Sequence, residues 1–266
     1  MAKILLYFSL LTSPLAFGQD WLKNYDHHIA PDFEDGPYLV EKDGKYGFVT
    51  YKGEPLIPLE YDNVITYIDR WNGAHEIHKG FTPSGFAVLK KDGKEGMVNI
   101  KGEVVIPFEY EEIGTHDDYW LIDNGLVAVK KGKKWGLYDT TGTMIMKPTY
   151  ACLGADDDCT PYFTDGLMTA ISNFHKCKAV INAKGETIIQ QGDYDFVKLL
   201  PGGFVEVTEH DYKGVANSDG ILIIGMDFSE VQVNKDKDGK VISFTCYDDE
   251  LRHYIDFDLK GNKIRD

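Results

Sequence analysis

The amino-acid sequence predicts an all-β protein made of tandem copies of one small unit, and three observations carry that prediction. Nearly the same phrase occurs three times, as "KDGKYGFVTYKG" (42–53), "KDGKEGMVNIKG" (91–102) and "KKGKKWGLYDTTG" (130–142). Each phrase places two glycines six residues apart, Gly47 and Gly53, Gly96 and Gly102, Gly136 and Gly142. A tyrosine follows eight residues beyond the second glycine, at Tyr61, Tyr110 and Tyr150. Fainter copies keep Gly185, then Gly214 and Gly220, then Gly261, with Ala179 and Ile255 in the first glycine slot of two of them. The slots recur every 35 to 49 residues, a period typical of repeat architectures.

Each unit can be assembled from its turns. Asp43-Gly44 and Asp92-Gly93 stand between alternating runs and call for a type I′ hairpin turn, which needs positive φ at both central residues. Gly132-Lys133 in the third copy suits a type II′ turn, with glycine first. Counting outward, Val40 should face Gly47, Leu89 should face Gly96, and Val129 should face Gly136. A second turn follows. Asn99, Asp139, Asn182, Asn217 and Asp258 each precede a glycine by three residues, the pattern of a type I turn closed by a left-handed glycine. Thr50 holds that position before Gly53 and should cap more weakly. The unit is thus a three-stranded meander followed by a variable connector. A mid-strand glycine such as Gly47, Gly96, Gly136 or Gly214 marks close approach of another group. The expected neighbour is a bulky side chain, the tyrosine fourteen residues on, leaving the residue before each glycine free to vary.

Composition fits a folded chain: 266 residues, 43% hydrophobic and 27% charged. A formal charge of −15 argues against a nucleic-acid partner, because phosphate binding rests on clustered Lys and Arg. Residues 1–18, "MAKILLYFSLLTSPLAFG", have the charged start, apolar run and small-residue end of a signal peptide. The expectation is export to the periplasm or medium, with no transmembrane segment in the mature chain. Residues 19–37 form a lead-in, 38–231 the repeat array, and 232–266 a degenerate capping repeat. Four cysteines, Cys152, Cys159, Cys177 and Cys246, permit three pairings. A bridge among the first three would leave Cys246 free or paired at long range; buried reduced thiols are the competing reading.

At these glycines and turns the chain resembles the WG repeat family, whose phrase runs G-K-W-G, an Asx-x-x-Gly turn and a P-x-x-Y ending. "KWG" at 134–136 keeps both name-giving residues, and Pro58 and Pro107 precede their tyrosines as the ending requires. The resemblance covers roughly residues 38–231 and implies a β-rich tandem array with a binding or scaffold role, since the family brings no catalytic motif. The units are expected to stack as an open or superhelical array. The alternative is a five- to six-bladed β-propeller, whose fourth strand per blade would come from "YWLID" (119–123).

Other segments suggest chemistry. Asn234, Asp236 and Asp238 with Gly239 resemble the opening of a calcium loop, but Thr245 stands where the bidentate glutamate belongs, and a polar hairpin turn at Asp238-Gly239 is the favoured reading. Asp156, Asp157 and Asp158 read as a solvated loop tip. His75 and His78 lack partners at zinc spacing, and His27-His28 and His116 carry no more. Tyr67, Trp71, Tyr119, Trp120 and Tyr162 in the connectors would bind a sugar or peptide if they lined one face; the competing reading packs them between units. No nucleophile elbow or phosphate loop occurs, and nothing singles out a catalytic pair among the 43 acids. The expectation is a non-catalytic protein that binds a protein or peptide through its connectors and needs no cofactor. A carbohydrate- or cation-binding module is the alternative, and a hydrolase built on the array the third.

Overall fold

A computed structural model describes residues 20–31, 33–69, 76–82, 84–114, 125–154, 161, 163–172 and 178–265. The proposed leader (1–18) and "YWLID" (119–123) lie outside these. Among the described residues the chain forms six four-stranded antiparallel sheets in sequence order, with no α-helix.

Unit 1 comprises β1 (His27–Ile29), β2 (Tyr38–Lys42), β3 (Lys45–Val49) and β4 (Pro55–Tyr61). Unit 2 opens with β5 (Asn63–Val64); a separate hairpin, β6 (Thr66–Asp69) and β7 (Glu76–Lys79), intervenes before β8 (Phe86–Lys91), β9 (Lys94–Asn99) and β10 (Val104–Tyr110). Unit 3 runs through β11 (Glu112–Ile113), β12 (Leu126–Lys131), β13 (Lys134–Asp139) and β14 (Met144–Tyr150). Unit 4 has β15 (Cys152–Leu153), β16 (Leu167–Ile171), β17 (Ala179–Asn182) and β18 (Thr187–Ile189). Unit 5 has β19 (Phe196–Leu200), β20 (Phe204–Glu209), β21 (Tyr212–Ala216) and β22 (Leu222–Phe228). Unit 6 has β23 (Glu230–Lys235), β24 (Val241–Asp248), β25 (His253–Phe257) and β26 (Lys263–Arg265).

Three expectations about the unit need correction. It has four strands, not three: the extra strand is the short segment immediately after the tyrosine, such as β5 after Tyr61, which crosses to pair with the next meander. The lead-in is no separate segment, because its β1 completes unit 1. The last repeat begins at Glu230 and forms a complete sheet, so a boundary after residue 231 cuts through β23.

The turns behave as their residues dictate. Asp43, Gly44, Asp92 and Gly93 all have positive φ, while Gly132 alone does so in the third hairpin. The register follows: Val40 faces Gly47, Leu89 faces Gly96 and Val129 faces Gly136. In the second turn Asn99 Oδ1 accepts the Lys101 and Glu103 amides at 3.0 Å, whereas Thr50 Oγ1 accepts its pair at 3.2 and 3.3 Å.

Each unit is too thin to bury anything alone, so the core lies between units. One face of unit 2 packs Ala87, Leu89 and Val98 against Leu39, Phe48 and Ile57 of unit 1. Its other face packs Val88, Met97 and Ile106 against Val127, Val129 and Tyr138 of unit 3. Alternate residues on each strand therefore serve opposite neighbours, which is why the inner strands are apolar throughout. Tyrosine binds units together: Tyr61 packs on Phe108 at 5.2 Å, the Tyr110 and Tyr138 hydroxyls meet at 2.8 Å, and the Tyr150 hydroxyl lies 3.1 Å from Thr187 Oγ1.

The two glycine sets have different jobs. A Cβ at Gly47 would lie 2.6 Å from Ile57 O, and one at Gly136 would lie 2.6 Å from Met146 O. The first set therefore makes room for the third strand of its own meander, which is the last strand of the unit (β4, β14), where that strand shifts register, and not for the tyrosine. In unit 2 the Phe108 ring fills this place. The second set makes the unit-to-unit seat. Gly102 rests on Leu56 and Ile57, Gly142 on Val105, Gly185 on Ile145, Gly220 on Ile188 and Gly261 on Ile223, each in the third strand of the preceding unit.

An acid after the aromatic adds a polar fastening. Asp62 Oδ2 accepts the Asp92 amide of the unit 2 turn at 2.8 Å while its Oδ1 holds Lys45 of unit 1 at 2.5 Å. Glu111 repeats this with the Gly132 amide at 2.8 Å and Lys94 at 2.5 Å. Asp26 and Asp195 likewise accept the Asp43 and His210 amides. Hydrogen bonding to Lys45 and to the Asp92 amide holds Asp62 below the usual carboxylate range, and Lys94 with the Gly132 amide does the same for Glu111. A depressed folded value means that these contacts stabilise fully above the ordinary range, about pH 4, and less as pH falls through the lowered values. Glu111→Gln is therefore expected to flatten the acid limb of stability between about pH 5 and pH 2, read as urea midpoint against pH. An unaltered slope would count against the fastening.

Candidate functional site

A row of side chains crosses the sheet at one level in units 1, 2, 3 and 5, and it differs from unit to unit until it ends on the repeated aromatic. In unit 1 the row is His27, Glu41, Tyr46 and Tyr61; in unit 2 it is Asn63, Lys90, Glu95 and Tyr110. In unit 3 it is Glu112, Lys130, Trp135 and Tyr150, and in unit 5 Phe196, Thr208, Lys213 and Phe228. The residue before each slot glycine belongs to this row and is not simply free. Glu95 is 1% exposed and its Oε2 accepts the Ile113 amide at 2.8 Å; Trp135 is 5% exposed with Lys130 Nζ 4.9 Å from its ring centre.

In unit 1 the row opens into a cleft of about 340 Å³ lined by His27, His28, Ile29, Leu39, Glu41, Tyr46 and Lys79. The pairing of β1 on β2 sets Ile29 opposite Leu39 and His27 opposite Glu41. Lys79 ends β7, the inserted hairpin, and its ammonium lies 5.1 Å from the Tyr46 ring centre. Burial, then the charge of Glu41 and a hydrogen bond to it, raise the Tyr46 hydroxyl above its ordinary value, so it stays a neutral donor. The cleft offers an aromatic face, an ammonium, a carboxylate and two imidazoles, a set suited to gripping a polar side chain or small ligand by orientation. The sequence alone gives His27-His28 no role; only the strand pairing, invisible in the local pattern, puts His27 opposite Glu41.

The other predicted site residues fall elsewhere. Asp236 Oδ1 caps a turn by accepting the Asp238 and Lys240 amides at 2.9 Å, and Asn234 Nδ2 donates to Ser243 Oγ and Thr245 Oγ1 across the β23–β24 hairpin. With Gly239 closing that turn, Asp236 repeats the Asx-x-x-Gly chemistry of the other units, while Asn234 is engaged across the strands. Among the described residues no group of three His, Cys, Asp or Glu is placed to hold a metal. Trp71, Tyr119, Trp120 and Tyr162 lie outside the described residues, as do His75, His116 and Asp156 to Asp158. Tyr67 is described only through its backbone pairing with His78. Cys152 is disulfide-bonded, its partner outside the described residues, and Cys246 is free and buried. Burial, with Asp256 and Glu206 nearby, pushes the Cys246 thiol up to about 12. Iodoacetamide at pH 8 is expected to leave native Cys246 unmodified and to label it after unfolding; rapid native labelling would refute that environment.

The family pattern of the WG containing repeat matches residues 46–69 and 96–135 of the chain. No curated protein matches. Among solved structures, Kluyveromyces lactis Hsv2 shares 10% identity at a TM-score of 0.30, over 84% of this chain and 71% of that one. A eukaryotic initiation factor shares 11% at 0.35, over 89% and 64%, and the dihydro-heme d1 dehydrogenase NirN in complex with DHE shares 13% at 0.30, over 88% and 55%. Among the described residues no helix is long and apolar enough to cross a membrane.

Proposed function

We propose that this chain is an exported, non-catalytic binding scaffold that engages a protein partner from its connector side, with the unit 1 cleft gripping one segment of that partner. The observation that carries this reading is the cleft itself. It is bounded by an inserted connector hairpin, lies beside Ile29, which is 42% exposed, and joins an apolar floor to charged walls. The repeat residues are committed to holding units together, so recognition falls to positions where units differ. The Cys152 disulfide supports export, since such bonds persist in oxidising compartments.

A photo-cross-linking residue at Ile29 should trap a partner protein from the envelope or medium. The same group at Lys184, on the turn of unit 4, should not. Tyr46→Ala and Lys79→Glu should each weaken capture at Ile29 at least about tenfold, the scale of a lost hot-spot contact. Equal capture from both positions, or capture indifferent to Tyr46 and Lys79, would overturn the proposal.

A further inference from the structure

The seats between units form a series whose two ends are unlike. Within the chain the turn glycine of each later unit rests on the residue three places after the turn glycine of the unit before: Leu56, Val105, Ile145, Ile188 and Ile223, all half-buried. Ile264 is next in the series and is 60% exposed. At the other end, among the described residues, no unit precedes Gly53, and the place is taken by Trp21, whose indole lies directly against it.

Trp21 belongs to a short 3-10 helix, Asp20–Asn24, and packs edge-on to Tyr38 with ring centres 5.3 Å apart. It lies four residues before Tyr25, as Ile57 lies four before Tyr61, and Tyr25 is followed by a fastening acid, Asp26, as Tyr61 is by Asp62. The lead-in therefore imitates the end of a third strand without being one. The imitation is incomplete: the Trp21 indole nitrogen is buried with no hydrogen-bond partner among the described residues. A buried donor left unmatched favours any occupant that lacks it.

We propose that the two ends are complementary, so that the Ile264 edge of one copy seats on the Gly53 turn of a second copy when Trp21 leaves it. Trp21 is then a removable cap that keeps the chain single. Such a contact is head-to-tail and propagates, giving concentration-dependent oligomers rather than a closed pair.

The test uses the full chain with Trp21→Ala, its fold checked by circular dichroism. Light scattering should show mass rising with concentration to at least twice that of the unaltered protein, and adding Ile264→Asp should restore the monomer. A folded Trp21→Ala chain that stays monomeric, or association that survives Ile264→Asp, would overturn the proposal. Should Trp21→Ala not fold, copies bearing Lys52→Cys mixed with copies bearing Ile264→Cys, Trp21 intact, supply the second test. Disulfide-linked pairs forming faster at higher concentration support the proposal. No linkage at millimolar protein, or linkage confined within one chain when both substitutions share it, sinks it.

Discussion

Gly142→Ala should destabilise the protein by roughly 2–5 kcal/mol, against about 1–2 kcal/mol for Gly93→Ala. Both glycines have positive φ, +89° and +76°, so both alanines suffer the left-handed strain. They differ in surroundings. A Cβ at Gly142 would lie 2.6 Å from Val105 O, a backbone atom of the preceding unit, while a Cβ at Gly93 meets nothing within 4 Å. The excess at Gly142 therefore measures the seat between units 2 and 3, separated from turn strain. Urea unfolding gives the totals, and amide exchange locates the damage, which should concentrate in β10 and β13. Equal losses for the two variants would mean that the seat adds nothing.

Gly136→Ala should cost about 1–3 kcal/mol and Gly136→Val more, because backbone occupies the space on one side and a strand already packed between two cores cannot retreat. Met146 O, Pro148 N and Lys147 C would all stand within 3.0 Å of the new Cβ. The comparison is Ala179, which occupies the same slot in unit 4; Ala179→Gly should change stability by no more than about 1 kcal/mol, the usual strand penalty for glycine. Thermal midpoints ranked in another order, with Ala179→Gly worse than Gly136→Val, would refute the assignment of the slot to the third strand.

That contrast also explains what the sequence conceals. The third strand has seven residues in units 1, 2, 3 and 5, and there the slot holds Gly47, Gly96, Gly136 and Gly214. It has three in unit 4, and there the slot holds Ala179. In that unit the loss of the slot glycine goes with a shorter neighbour. The hairpins and their register were legible because turn chemistry is local: positive φ at Asp43-Gly44 constrains the residues beside it and nothing further away. The partner of each glycine was not legible, because both glycine sets look alike in the chain and differ only in which strand lies over them. The fourth strand was missed for a similar reason. Asn63-Val64 is two residues long and carries no pattern of its own; it is a strand only because Lys90 and Leu89 lie opposite. The cleft was hidden likewise, since His27, Glu41, Tyr46 and Lys79 come from four different elements.

The acid that follows the aromatic reaches one module back for a lysine and one module forward for a turn amide, and no further. Asp62 knows Lys45 and Asp92; Glu111 knows Lys94 and Gly132. Fastenings of such short reach act only between adjacent modules, so the gain or loss of a module would disturb the bonds at its own junction and leave those elsewhere unchanged.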